Sequence, residues 1–208
     1  MPNAAEWLVF LGASALFAVL PGPGVLYVLA RSLRGGRADG VRSVVGNGIG
    51  ASLHVVAAAL GLSAVLATSA TAFTVVKLVG AAYLVYLGVR ALLDRGEAEV
   101  ELPAGRPSRG ALRQGVVVEA LNPKTALFFL AFLPHFVHPG EVPAALVFVV
   151  LGLTVVAMTV VVDLLVAFFA GGLSRLIAAN PRWRVRERIA SGLTMIGLGG
   201  ALAVAERG

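Results

Sequence analysis

The chain contains no cysteine and little charge. Of its 208 residues, 13% are charged and 58% are hydrophobic, whereas an ordinary soluble domain has about 25% charged and 45–50% apolar residues. The absence of cysteine excludes disulfides, thiol chemistry and cysteine-ligated zinc or iron–sulfur centres. A soluble fold of this length cannot hide so much apolar surface from water. The composition therefore predicts a membrane protein.

Acidic residues are also scarce, with 11 Asp and Glu against 17 Lys and Arg. The resulting pI of about 10.7 would suggest nucleic-acid binding in a soluble protein. Here, fourteen of the fifteen arginines fall in three segments, residues 31–42, 90–113 and 175–188. Cytoplasmic loops of membrane proteins collect Lys and Arg, so these segments are predicted to be cytoplasmic. Both termini are then predicted outside, and the basic pI requires no nucleic-acid partner.

Long uncharged runs separate the arginine-rich segments, and a membrane helix needs about 20 apolar residues. Six spans are predicted, near Trp7–Ala30, Val44–Val65, Ala72–Leu93, Leu112–Val137, Val142–Phe169 and Ile189–Ala205. Met1–Val19 lacks the basic start of a signal peptide and is expected to stay in the first span. The prediction is an all-α membrane protein with one transmembrane domain.

The connections between spans divide this domain into two halves. Residues 1–93 form a first three-helix repeat, residues 94–111 a cytoplasmic linker and residues 112–208 a second three-helix repeat. Because each half has three spans, the second half must be inverted relative to the first. The segment Gly171–Arg188 is predicted to break its helix at Gly171-Gly172 and to lie at the inner interface, with a plain basic loop as the alternative.

Proline interrupts the first and fourth spans, at Pro21-Gly22-Pro23 and at Asn122-Pro123-Lys124. Proline lacks an amide donor and clashes with the preceding turn, and irregular backbone persists in a membrane only where it faces protein or a watery cavity. Either motif alone could be a structural kink. Pro21 and Pro123 are 102 positions apart in two inverted halves, and matched broken helices indicate a secondary transporter with a site near the midplane.

Four Lys, Asp or Glu residues lie within predicted spans: Lys77, Glu119, Lys124 and Asp163. Each costs about 2.5–3.5 kcal/mol at a helix centre, so each needs a partner or a wet cavity. Lys124 and the half-helix start at Asn122 could face a carboxylate, since helix amino ends favour anions. Glu119 or Asp163 could face an ammonium group or carry a coupling proton. The alternatives are a structural ion pair for these three residues and, for Lys77, snorkelling to the interface.

The motifs taken together resemble those of the lysine exporter (LysE/RhtB) family of bacterial inner-membrane amino-acid exporters. The similar segments are Pro21-Gly22-Pro23, the glycine-rich Gly46–Gly50, Lys77 with Gly80–Leu84, Asn122-Pro123-Lys124 and Phe132–Val137. One departure is His135, where family members usually have Gln. The resemblance implies export of amino acids or their derivatives, driven by the membrane potential or a proton gradient.

The sequence thus predicts a secondary-active exporter of an amino acid or derivative in the bacterial inner membrane. Its predicted pathway residues are Pro21, Gly22, Pro23, Lys77, Glu119, Asn122, Pro123, Lys124 and Asp163. No cofactor, metal or catalytic residue is predicted, and a coupling proton and a homo-oligomer are compatible with this function. The alternatives are transport of another small solute or ion on the same scaffold, an intramembrane enzyme, and a membrane scaffold.

Overall fold

The computed structural model describes residues 2–64, 70–93, 110–138 and 142–178, together with helical positions 185, 189, 192, 193, 196, 197 and 200. Throughout this part of the chain the regular structure is helical, without a strand. The helices are α1 (Ala4–Val19), α2 (Pro23–Ala57), α3 (Ala70–Leu93), α4 (Ala111–Ala120), α5 (Pro123–Leu127) and α6 (Ala144–Ala178). A π-helical segment, Ala58–Leu62, continues α2. A second π-helical segment, Phe128–Phe132, and then a 3-10 turn, Leu133–Phe136, continue α5.

Several of these helices have the length and apolar composition of membrane spans. Within the described ranges, Pro23–Leu62 and Ala144–Ala170 each contain an apolar helical stretch long enough to cross a bilayer. The pair Ala111–Ala120 and Pro123–Phe136 makes a third span if its two bent halves are counted together, and Ala4–Val19 is a shorter apolar helix. The all-helical membrane class predicted from composition is therefore confirmed.

Both predicted helix breaks are present. α1 ends at Val19 and α2 begins at Pro23 after the extended cap residue Gly22. α4 ends at Ala120 and α5 begins at Pro123, with a bend of 43° between the two halves. The prolines that start the new helices are Pro23 and Pro123, 100 positions apart. Proline suits this first helical position because its amide would have no intrahelical partner there.

The connection predicted between spans one and two is present, but it is a turn at a single residue and not a loop, because α2 is helical on both sides of Gly36. Gly36 has φ 71° and ψ −171°, a left-handed backbone that glycine adopts without steric cost. The Asn47 Nδ2 atom lies 3.1 Å from the Gly24 carbonyl oxygen, although 23 residues of straight helix would separate them by roughly 35 Å. The chain therefore folds back at Gly36, so that residues 23–35 and 37–62 lie side by side.

Arg31, predicted to be a solvated loop residue, is buried at this turn. Its guanidinium donates to Gln114 Oε1 at 2.7 Å and to the Tyr27 hydroxyl at 3.3 Å. Tyr27 in turn donates to the Ala111 carbonyl at 2.6 Å. Arg34, Arg37 and Arg42 are exposed as expected. Arg31 thus joins α2 to α4, a role that the arginine pattern did not indicate.

The predicted break at Gly171-Gly172 is wrong, since α6 runs through both glycines to Ala178. A glycine weakens a helix without necessarily ending it.

Other predictions concern residues that lie wholly or partly outside the described part of the chain. The linker 94–109 and most of the sixth span lie outside the described part of the chain. Lys77 is within α3, but its side chain is not among those described.

Two kinds of packing hold the helices together. Aromatic and aliphatic side chains from α1, α2, α6 and the segment after α5 form one buried cluster that includes Phe10, Phe128, Phe136 and Phe148. The α2 and α4 backbones, by contrast, touch through glycine: a Cβ on Gly46 would overlap the Leu112 carbonyl oxygen. Small residues allow such close approach between membrane helices.

Replacing Gly46 by alanine is expected to destabilise the protein by about 1–3 kcal/mol, the usual cost of overpacking. The added methyl group meets backbone, which no side-chain rotation can relieve. The measurement is the thermal unfolding midpoint of the purified protein in detergent. Gly61→Ala is the matched control, because a Cβ there has nothing within 4 Å, and its midpoint should stay equal or rise. Equal midpoints for Gly46→Ala and the parent would contradict close packing of α2 on α4.

Candidate functional site

The two helix breaks meet at one buried cavity. Its walls come from α1, both segments of α2, the α4–α5 break and α6. The space open to the centres of water molecules is about 30 Å³, enough for about two waters and too little for an amino acid. The polar side chains that line it are Asn47, Glu119, Asn122, Lys124, Thr125, Thr159 and Asp163.

Lys124 crosses from α5 to the end of α1. Its Nζ atom donates to the carbonyl oxygens of Phe17 and Leu20, at 2.8 and 2.6 Å. It also lies 4.3 Å from the centroid of the Phe17 ring, a cation–π distance. The last carbonyls of a helix have no intrahelical partner and carry partial negative charge. A buried ammonium group at this position therefore satisfies the open end of α1.

Glu119 bridges the second break, between α4 and α5. Its Oε1 accepts a hydrogen bond from Thr125 Oγ1 at 2.6 Å, and its Oε2 accepts one from Asn122 Nδ2 at 3.0 Å. The Asn122 Oδ1 atom accepts from the Lys124 amide at 3.0 Å and so caps α5. A carboxylate near a helix amino terminus is favoured by the helix dipole. Glu119 thus ties the end of α4 to the start of α5.

Asn47 joins α2 to α6. Its Nδ2 donates to the Gly24 carbonyl at 3.1 Å and to Asp163 Oδ2 at 2.9 Å. Asn47 and Asp163 are both 4% exposed. The Asn47 Oδ1 atom is buried and has no hydrogen-bond partner in the described part of the chain. An unsatisfied buried polar atom costs about 1–3 kcal/mol. A ligand that donates a hydrogen bond to this oxygen would remove that cost.

Gly24 is where the Glu119 and Asn47 contacts come together. A Cβ at this position would overlap Glu119 Oε2 and lie 3.1 Å from Asn47 Nδ2. Only glycine lets the first turn of the second half-helix approach both side chains so closely. The cavity wall carries two carboxyl side chains, Glu119 and Asp163, and one amine, Lys124. This composition favours a ligand that brings positive charge.

The structure brings together five of the residues predicted from the sequence. Gly22, Glu119, Asn122, Lys124 and Asp163 line the cavity. Pro21, Pro23 and Pro123 belong to the two breaks around it, and the Lys77 side chain lies outside the described residues. His54 is half-buried, and its Nε2 lies 3.1 Å from the Glu119 carbonyl oxygen, so it supports the same break from α2.

Sequence reasoning missed Asn47 and Thr125. The signal for Asn47 was available, because it is a polar side chain inside the glycine-rich Gly46–Gly50 stretch. Thr125 gave no comparable signal, since a threonine in an apolar helix commonly bonds its own backbone. Its contact with Glu119 arises only because the chain bends between them.

Apolar spans, two interrupted helices and a buried polar cavity between them define a helical membrane protein of the transporter type. The chain matches the family model described as LysE type translocator over residues 15–206. It belongs to this family.

Several bacterial relatives resemble the chain along most of its length. It is 32% identical to an uncharacterized membrane protein of Vibrio cholerae, over 96% of this chain and 97% of the relative. It is 34% identical to an uncharacterized membrane protein of Pseudomonas aeruginosa, covering 96% and 94% of the two chains. It is also 32% identical to the homoserine/homoserine lactone efflux protein of Salmonella typhimurium, covering 83% and 82%. No solved structure matches the chain significantly.

Lys124→Met is expected to lower the stability of the purified protein by about 3 kcal/mol. Methionine keeps the length of the side chain but leaves two carbonyls of α1 without their charged donor, and a hydrogen bond to a charged group contributes about 1.5–3 kcal/mol. The measurement is the thermal unfolding midpoint in detergent. Arg34→Met, which removes an exposed positive charge, is the control and should change it little. The tie between α5 and α1 would be disproved if the two variants melted alike.

Proposed function

We propose that this protein is a secondary-active exporter of an amino acid or amino-acid derivative across the bacterial inner membrane. The observation that carries the proposal is the meeting of the Pro21–Pro23 and Asn122–Lys124 breaks at one buried, polar cavity. Discontinuous helices that meet at a polar site are typical of secondary transporters, and membership of the LysE type translocator family supports the same activity.

The character of the cavity and the named relative both favour a small amine as cargo. The Salmonella relative is named for the efflux of homoserine and homoserine lactone. These two compounds share a primary ammonium group, whereas the lactone lacks a free carboxylate. A cavity with two carboxyl side chains suits the group that they share. We therefore expect the cargo of this protein to carry a primary ammonium group, with or without a carboxylate.

The proposal requires the cavity to widen during transport. About 30 Å³ accommodates water-sized groups, so an amino acid enters only when the helices around the breaks separate. In the proposed mechanism the pathway passes Gly22, Glu119, Asn122, Lys124 and Asp163, and Lys77 stays a further candidate. Both termini face outward, two inverted three-helix repeats surround the site, and the membrane potential or a coupled proton drives export.

A counterflow assay tests this function directly. Purified protein in liposomes loaded with a pool of unlabelled amino acids, homoserine included, is expected to accumulate a labelled amino acid from outside. Asp163→Asn and Lys124→Ala are each expected to reduce the initial rate about tenfold or more, which corresponds to about 1.4 kcal/mol or more. The change removes charge from the cavity wall in both cases.

Thr154→Val is the matched control, because Thr154 lies on α6 and bonds the Val150 carbonyl within its own helix. Its counterflow rate should equal that of the parent. Export of amino acids would be refuted by the absence of counterflow with every amino acid. Counterflow with an unrelated solute or ion would instead establish the alternative cargo on the same scaffold. Full counterflow in both Asp163→Asn and Lys124→Ala would remove these side chains from the pathway.

A further inference from the structure

We infer that Asn47 and Asp163 together form the binding site for the primary ammonium group of the transported solute. The inference rests on the proposed function and makes it more specific, because it selects one acidic side chain and adds Asn47, which was not among the pathway residues predicted from the sequence. Solutes with a free amine would be transported, and solutes whose amine is acylated would not.

The first step is the orientation of the Asn47 amide. Its Nδ2 faces two acceptors, the Gly24 carbonyl and Asp163 Oδ2, at 3.1 and 2.9 Å. Exchanging nitrogen and oxygen would point Oδ1 at the Gly24 carbonyl, which can only accept. The two contacts therefore fix the amide, and Oδ1 is the atom left without a partner in the described part of the chain.

The second step separates Asp163 from the other charged side chains of the cavity. Each Glu119 oxygen accepts a hydrogen bond from the break that it stabilises, one from Thr125 and one from Asn122. The Lys124 ammonium donates to the end of α1. Asp163 lies instead on α6, an uninterrupted helix, and an ionised carboxylate has about four acceptor positions. It can hold Asn47 and still accept from a ligand.

The third step is the match between these groups and a ligand. A carboxylate and an adjacent unpartnered amide oxygen call for a ligand that donates several hydrogen bonds and brings positive charge. A primary ammonium group has three donors and no acceptor. Because Asn47 Oδ1 is buried, the ammonium group reaches it when the helices separate to admit the solute. A sodium ion has similar oxygen preferences, and the experiment distinguishes the two.

The test measures competition in the counterflow assay with the parent protein, Asn47→Ala, Asn47→Ser and Asp163→Asn. The competitors are an amino acid that the parent transports, its N-acetyl derivative, and methylammonium, each compared in sodium and in potassium buffer. In the parent, the free amino acid is expected to compete at least about tenfold better than its N-acetyl form, and methylammonium is expected to inhibit. In the Asn47 and Asp163 variants, this preference should fall towards onefold and inhibition by methylammonium should disappear.

The preference ratio separates a binding role from a structural one, because a distorted protein would lose counterflow activity without changing the relative potency of the two competitors. Ser52→Ala is the control on the same helix, since the Ser52 hydroxyl bonds the Gly48 carbonyl one turn away, and its ratio should match the parent. Asn47→Ser provides a second substitution if Asn47→Ala does not fold.

Two results would overturn the assignment while leaving the exporter function intact. One is an unchanged preference ratio in the Asn47 and Asp163 variants. The other is counterflow that depends on sodium in the parent and loses this dependence in the variants, with the preference for the free amine retained. A parent protein without counterflow for any amino acid would overturn the exporter function itself, and the ammonium site with it.

Discussion

The structure depends on how two helix breaks are satisfied away from water. Each break opens a carbonyl end and an amide end, and an unpaired backbone group costs several kcal/mol in hydrocarbon. Lys124 brings an ammonium group to the carbonyl end of α1. Asn122 caps the amide end of α5, and Glu119 accepts hydrogen bonds from Asn122 and Thr125. Lys124 belongs to the second break, so the second break satisfies part of the first.

The hydrogen bonds at the breaks also distinguish side chains that hold the fold together from side chains that are left to bind a ligand. Glu119 and Lys124 are costly charges in a membrane, and their cost is offset by bonds that the fold itself needs. Asn47 differs, because one of its two polar atoms stays without a partner in the described part of the chain. A polar group that the fold does not satisfy is the more informative marker of a ligand, since nothing in the folded state compensates for burying it. By charge alone, Lys124 and Asp163 are equal candidates for the ligand site. Their hydrogen bonds distinguish them, because Lys124 donates to the end of α1 and Asp163 accepts from Asn47.

The sequence predicted the class, the breaks and five of the residues that line the cavity, because these follow from local rules: apolar run length, proline chemistry and the cost of buried charge. It did not predict the turn at Gly36, where the conformation of one glycine replaces a loop. It also placed Arg31 in solvent, since its partners Tyr27 and Gln114 become neighbours only when α2 packs on α4. The sequence prediction paired Lys124 with a substrate carboxylate for the same reason. A sequence shows that a buried charge needs a partner, but it does not show which helix supplies that partner.

The bonds around the cavity also restrict how it can widen. Lys124 ties α5 to α1, Glu119 ties α4 to α5, and Asn47 ties the two segments of α2 to α6. A motion that separates helices within either set must break charge-assisted or buried hydrogen bonds, which are roughly twice as strong as exposed neutral ones when an ion takes part. Between the two sets, Gly24 packs directly against Glu119, and hydrogen bonds from Tyr27, Arg31 and His54 hold α2 to α4. A motion that separates α2 from α4 must therefore also break these bonds, one of which is charge-assisted because the Arg31 guanidinium donates it.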